Sequence, residues 1–311
     1  MSSPLKPQLQ IHLCVLLWGF TAILGKLIAL PATVLVWWRM VLVLMVLACV
    51  PRVWRGLRAL PRQLVAVYAG IGLLVTLHWL TFFAAIKLAN ASVAATCIAL
   101  GPVFLSLIEP WVAGRRVDLR EMLLGVLVVP GVALVVGGIP TGMRLGLLVG
   151  VSSALFVACF SALNKRYVER ADALLVTTLE LGTGAVVLTA VLPWSNGHGF
   201  SPDVFMLPAP NDLALLSLLA FACTLLPFNL SLIALRRLSA FAALLAVNLE
   251  PVYAILLAIA VLGEQRELGI SFYAGVVVIL STVLLHPWLM RSRRIPAAAT
   301  LAVAEAKNLV D

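Results

Sequence analysis

Glu250 and Pro251 stand side by side in FAALLAVNLEPVYAILLAIAVLGEQ, a run from Phe241 to Gln265 that is otherwise almost wholly apolar. A carboxylate at membrane depth is costly unless it meets a polar cavity or a partner. A proline inside a helix removes one N–H donor and leaves a carbonyl, here near Val247, without its usual bond. The same arrangement occurs 149 positions earlier, in ASVAATCIALGPVFLSLIEPWVAG from Ala91 to Gly114. That shift lays Leu100 on Leu249, Pro102 on Pro251, Val103 on Val252, Phe104 on Tyr253 and Gly114 on Gly263. The chain therefore reads as two related halves, each with one helix interrupted near its middle.

What surrounds these helices follows from composition. With 63% hydrophobic and 11% charged residues and a mean hydropathy of +1.10, 311 residues hold too little polar surface to wrap a soluble core. Apolar runs predict ten membrane spans, at 11–30, 33–50, 63–87, 91–113, 121–139, 144–167, 173–193, 212–235, 240–262 and 269–289. The first run is longer than a signal-peptide core and is expected to stay in the mature chain. Net charge +9 raises nucleic acid as a partner, but the basic residues lie in small groups between apolar runs rather than along a stripe, which excludes it. Their placement is topological: with the N-terminus inside, only Lys26, Arg39, Lys87, Arg144 and Arg266 of the 22 Lys and Arg fall in the outer half. Both termini are thus predicted to be cytoplasmic, residues 1–10 before the first span and 290–311, with its RSRR run, as a tail after the last. The segment from Ser195 to Asp212 has no Lys or Arg and carries Pro202, Pro208 and Pro210, as an outer loop would. Trp37, Trp38 and Trp194 fall at outer span ends, where amphipathic rings prefer the interface.

The fold class is all-α integral membrane, two five-helix repeats over 11–139 and 144–289. Five crossings return the chain to the opposite side, so the second repeat is inverted. Lys26 corresponds to Lys165 and Lys87 to Arg236, with shifts of 139 and 149. Such an architecture places a ligand site at the repeat interface near the bilayer midplane, where helices are interrupted.

Few residues at that depth can carry chemistry. Glu250 either binds a substrate ammonium, acts protonated in proton coupling, or pairs with a basic residue. Asn248 reads as an interhelical hydrogen-bonder. Pro102 and Pro251 act as helix breaks. Arg39 and Glu180 occupy corresponding positions with opposite charge: Arg39 snorkels outward, or the two form a gate or a cross-cavity pair. His78 can titrate or hydrogen-bond a carboxylate, or it is a satisfied interhelical histidine, with Trp79 beside it. Trp18, Phe20, Phe156, Phe228 and Tyr253 serve as pocket walls or as packing. Glu109 and Glu264 fall at span ends and suit interfacial roles. The cysteines Cys14, Cys49, Cys97, Cys159 and Cys223 are isolated, without CxxC or histidine spacing, and read as small buried hydrophobes. There is no GxSxG, HExxH or phosphate-binding loop, so neither enzyme nor cofactor is expected, and no metal site.

The first-span WGFTAILGK, the second-span WWRM, PVFLSLIEPWVAG and above all EPVYAILLAIAVLGE resemble the EamA-type branch of the drug/metabolite transporter superfamily, over residues 11 to 289. The resemblance implies a bacterial inner-membrane carrier, often an exporter of amino acids or related metabolites. It implies alternating access without ATP, around a cavity lined by the first, third, fourth, sixth, eighth and ninth spans. In the first half LGE is replaced by Ala113, Gly114 and Arg115, which removes the symmetric glutamate. The expected partners are a small-molecule substrate and the lipid bilayer, with proton coupling and a homodimer left open. A membrane enzyme acting on a lipid-linked substrate is the alternative, and a sensory receptor a third.

Overall fold

The computed structural model describes residues 5–114, 119–194, 201–238, 243, 246–247 and 249–290, and these residues are helical almost throughout. The predicted positions of Asn248, Arg115 and the RSRR tail lie outside them, as does the loop over 195–200. In the first half the helices are α1 (Leu5–Leu27), α2 (Ala32–Ala48), α3 (Pro51–Ala59), α4 (Arg62–Leu88), α5 (Ala91–Ile98), α6 (Gly101–Ala113) and α7 (Leu119–Gly137). The second half contributes α8 (Arg144–Tyr167), α9 (Ala173–Val191), α10 (Pro210–Ala220), α11 (Leu226–Leu235), α12 (Glu250–Leu257) and α13 (Ile270–Met290). Among the described residues six helical stretches are long and apolar enough to cross a membrane, seven if α2 and α3 form one bent span. Leu127–Gly137, Glu250–Leu262 and Ile270–Thr282 are shorter apolar helices.

Local sequence explains where the helices begin. Asn90 caps α5 by accepting from the Val93 N–H at 2.9 Å, and Asp172 caps α9 by accepting from Leu174 at 3.1 Å. Pro51 opens α3 at a position where a missing N–H costs nothing. This helix was not anticipated: α3 turns 93° from α2 and carries Arg52, Arg55 and Arg58, with Val53 tucked in and Trp54 out.

The two interrupted helices depart from expectation in one respect. Pro102 and Pro251 do not lie within continuous helices. The fourth span breaks at Ala99 and Leu100, and a new helix starts at Gly101, so Pro102 is its second residue. Pro251 is likewise the second residue of α12. The physical reason is that proline fits the first turn, whose N–H groups have no intrahelical acceptor, far better than a helix interior. Short three-residue turns close each break, Leu100 N–H to Cys97 O at 3.0 Å and Leu249 N–H to Ala246 O at 3.1 Å.

Packing carries the duplication into three dimensions. Helix α4 packs on α8, and α11 on α1; α5 and α6 pack on α8, and α12 on α1; α4 packs on α9, and α10 on α2. Three further pairs, α2 with α9, α5 of the fourth span with α12 of the ninth, and α7 with α13, join corresponding spans directly. Exchanging the halves maps this set of neighbours onto itself, as a two-fold relation requires.

Small residues allow the close approaches. A Cβ on Gly138 would lie 2.0 Å from the Phe272 nitrogen, and one on Gly131 would lie 2.7 Å from the Ile279 side chain. Between lipid-embedded helices, where lipid is as apolar as leucine, such van der Waals fit is a main source of association.

Candidate functional site

Between the halves lies a cavity of about 120 Å³. Its wall takes Trp18 and Thr21 from α1, Arg39 from α2, His78, Trp79 and Phe82 from α4, and Ile98 from α5. The second half adds Phe160, Ser161 and Asn164 from α8, Phe228 and Ser231 from α11, and Val247 and Glu250 around the ninth-span break. Most of the wall is apolar or aromatic, with a few polar groups converging on it, the usual character of a small-molecule pocket.

Glu250 opens α12 and is 8% exposed. Its carboxylate therefore sits where a helix N-terminus favours negative charge. Arg39 comes from the opposite half and does not snorkel; it is 2% exposed. Its Nε donates to Thr224 Oγ1 at 2.5 Å and its Nη2 to the Cys223 carbonyl at 3.3 Å. The guanidinium carbon lies 3.8 Å above the Trp79 ring, a cation–π contact. The acceptors have a local origin. A π-helical turn, Phe221–Leu225, joins α10 to α11. Pro227 has no N–H to offer the carbonyl four residues back, which is that of Cys223. π turns are often found at functional sites.

His78 is fixed by Ser153 on α8. Its Nδ1 lies 2.8 Å from Ser153 Oγ and 3.1 Å from the Ser153 carbonyl, while Ser153 Oγ donates to the His78 carbonyl at 2.9 Å. With the hydroxyl proton so engaged, both Ser153 atoms facing Nδ1 are acceptors. A neutral His78 thus carries its proton on Nδ1 and leaves Nε2 as an acceptor.

Of the other sequence candidates, the structure brings Trp18 and Phe228 to the wall, and Trp79 meets Phe228 edge to face at 6.1 Å between ring centres. Tyr253 and Phe156 do not reach it. Tyr253 is 37% exposed and packs with its Cβ near Gly19 of α1. Phe156 is one position off the face formed by Val157, Phe160, Ser161 and Asn164, which repeats at helical spacing and lines the cavity. Phe20 is exposed as well. Pro102 and Pro251 are buried and shape the breaks without lining the space.

Arg39 and Glu180 do not meet among the described residues, so the cross-cavity pair is replaced by two separate arrangements. Glu180 is fully buried behind the wall, where Asn164 Nδ2 reaches its Oε2 at 3.5 Å. The backbone of Glu180 presses on Gly72, where a Cβ would lie 2.3 Å from its carbonyl oxygen.

Glu264 also differs from the interfacial role expected of it. It is 1% exposed and accepts from the Ala91 N–H at 3.0 Å, the Ser92 N–H at 2.9 Å and Ser92 Oγ at 2.7 Å. Asn90 Nδ2 donates to Glu267 at 3.0 Å alongside. The end of the ninth span thus holds the start of the fourth. Of the cysteines, Cys14, Cys97 and Cys223 are buried, whereas Cys49 is exposed.

A family model described as the EamA-like transporter family matches residues 6–137 and again 144–286, one copy for each half. The chain belongs to the EamA-like transporter family. It is accordingly a multi-pass membrane transporter of the drug/metabolite type, built from two repeats. No curated protein matches it. Among 22 similar chains of solved structures, one described as "Crystal structure of protein" aligns with a TM-score of 0.63 and 18% identity. The alignment covers 93% of this chain and 98% of that one, so the two share a fold over nearly their whole lengths.

Several wall residues of this EamA chain had no part in the sequence reading: Thr21, Phe160, Ser161, Asn164 and Ser231. A signal existed for the two groups that hold Arg39, which the sequence did not single out for that role. Pro227, four residues after Cys223, marks a free carbonyl in an apolar span, and the hydroxyl of the adjacent Thr224 accompanies it.

Proposed function

We propose that the chain is a secondary transporter that exports small amphipathic metabolites, amino acids first, across a bacterial inner membrane by alternating access, with both termini in the cytoplasm. The observation that carries this reading is the cavity bounded by both halves. Its wall combines one acid, Glu250, one imidazole, His78, and one cation, Arg39, with aromatic faces from Trp18, Trp79 and Phe228. Opposite charges in one apolar enclosure suit a solute with a charged head and an apolar body. The substrate ammonium sits at Glu250 and His78 Nε2. Rocking of the halves about the breaks at Leu100 and Leu249 opens the cavity to one side and then the other. Protons supply the coupling through Glu250.

The test is counterflow in proteoliposomes loaded with a panel of unlabelled amino acids, at two pH values. Accumulation of the matching labelled amino acid, absent from protein-free liposomes and changed between the two pH values, is expected. Ligand binding without movement of solute, or hydrolysis of a lipid-linked compound without flux, would overturn the proposal. Labelling that placed the two ends on opposite sides of the bilayer would remove the inverted architecture on which it rests.

A further inference from the structure

Arg39 is a permanent charge inside α2, flanked by ATVLVWW and MVLVLMVLA. A guanidinium cannot escape burial by losing its proton, so its cost at membrane depth has to be offset by partners. The partners present are neutral: the Thr224 hydroxyl, the Cys223 carbonyl and the Trp79 face. They hold the edge formed by Nε and Nη2. The remaining terminal nitrogen, Nη1, is buried without a hydrogen-bond partner among the described residues. Arg39 lines the cavity, and so does Glu250, yet no ion pair joins them among the described residues. The site therefore holds a positive and a negative group apart within one enclosure, with one oriented donor unsatisfied.

We propose that Arg39 Nη1 receives the carboxylate of the transported solute, which enters as a zwitterion with its ammonium towards Glu250. This rests on the transport reading of the cavity and adds to it a requirement on the ligand: a carboxylate is needed, and a primary amine or amide of the same shape is not an adequate replacement. The bound carboxylate supplies the charge-assisted hydrogen bond that Thr224 and Cys223 leave unmade. The turn at Phe221–Leu225 holds the guanidinium by its Nε–Nη2 edge, so the group is fixed in place before the ligand arrives.

Trp79, beneath the guanidinium, reports occupancy through its fluorescence without any need for transport. In purified full-length protein the probes are L-threonine, L-leucine and L-phenylalanine, each beside its carboxamide. Wild type is expected to bind at least one of the acids about 10- to 100-fold more tightly than the matching amide, the range of one charge-assisted hydrogen bond. R39Q should weaken the acid by a similar factor, leave the amide nearly unchanged and so abolish the ratio. R39K, which keeps the charge but not the planar fork, should recover part of it. Equal binding of acid and amide by wild type, or binding of neither, overturns the assignment, and this comparison needs no variant to fold. So does an R39Q protein that keeps the wild-type ratio. If counterflow of amino acids persists in either case, the transport reading stands while the Arg39 assignment falls; loss of all flux in wild type removes both.

Discussion

The break before α6 and the break before α12 are the same piece of backbone used for different ends. Leu100 has φ −79° and ψ −10°, and Leu249, 149 positions later, has φ −79° and ψ −16°. Each is followed by the first residue of the new helix and then by a proline. The intervening residue differs: Gly101 in the first half, Glu250 in the second. The two stretches also end alike, α6 at Gly114 with φ 68° and α12, prolonged by a π-helical turn over Ala258–Leu262, at Gly263 with φ 69°. Beyond that point they diverge again, since Glu264 follows Gly263 and Arg115, outside the described residues, follows Gly114. Duplication thus supplied the conformation twice, and the polar chemistry was placed on one copy. The cation of the cavity, Arg39, comes from the other half, so the functional asymmetry is shared between the repeats rather than confined to one.

The sharpest way to break this comparison is at Glu264, which has no acidic counterpart. Its carboxylate is the acceptor for two backbone N–H groups and one hydroxyl at the start of α5. Removing it strands buried donors at a helix N-terminus, where the dipole had favoured the negative charge. Glu264→Ala should cost about 3 kcal/mol of stability, and Glu264→Gln, which keeps one acceptor oxygen, about half of that. Thermal or denaturant unfolding in detergent measures both. A loss below about 1 kcal/mol for the alanine variant would mean that the fourth span does not depend on the ninth for its start.

Sequence alone located some helices well and their faces poorly. The predicted span 144–167 coincides with α8, whereas α3 was not expected and the two breaks fall at Leu100 and Leu249 rather than at Pro102 and Pro251 within continuous helices. Turns, prolines and charge steps are local signals that survive in a single sequence. Facing is another matter. In a soluble helix the polar side marks solvent, but lipid and protein interior are equally apolar, so Tyr253 and Phe156 carry no mark to show that they miss the cavity while Phe160 meets it. The buried cap of Glu264 was hidden for a different reason. Its partners Ala91 and Ser92 lie more than a hundred positions away, and an acid next to a chain turn reads as solvated. The turn holding Cys223 and Thr224 was legible only through Pro227, whose effect appears once Arg39 is seen to use the freed carbonyl.

Substitution at the hinge itself sharpens the contrast between Gly101 and Glu250. Glu250→Gln keeps the shape of the side chain and removes its charge. Flux of an amino acid should fall about 30-fold, the equivalent of about 2 kcal/mol, and the remaining flux should lose its dependence on pH. Stability should change little, because among the described residues no hydrogen bond engages that carboxylate. Full activity with an unchanged pH profile would show that the acid at this hinge is no more functional than the glycine at the other.

The smallest effects test what the halves have in common. Gly114 and Gly263 both adopt a left-handed conformation, and among the described residues nothing lies within 4 Å of a Cβ built on either. Alanine at these positions meets no steric obstacle from neighbours, so its cost is that of the backbone alone, about 1 kcal/mol for a residue with a side chain at positive φ. The hydrogen bonds at the two ends are not identical. The Gly114 N–H bonds the Pro110 carbonyl, whereas the Gly263 N–H closes a wider turn to Ala258. If conformation is what the duplication preserved, Gly114→Ala and Gly263→Ala should lower the unfolding midpoint by equal amounts, and neither should alter the ratio of acid to amide binding. A cost concentrated at Gly263 would mean that the position of Glu264 relative to α5, and not the left-handed turn, is what the second glycine maintains, and the backbone equivalence of the two breaks would then be incidental to stability.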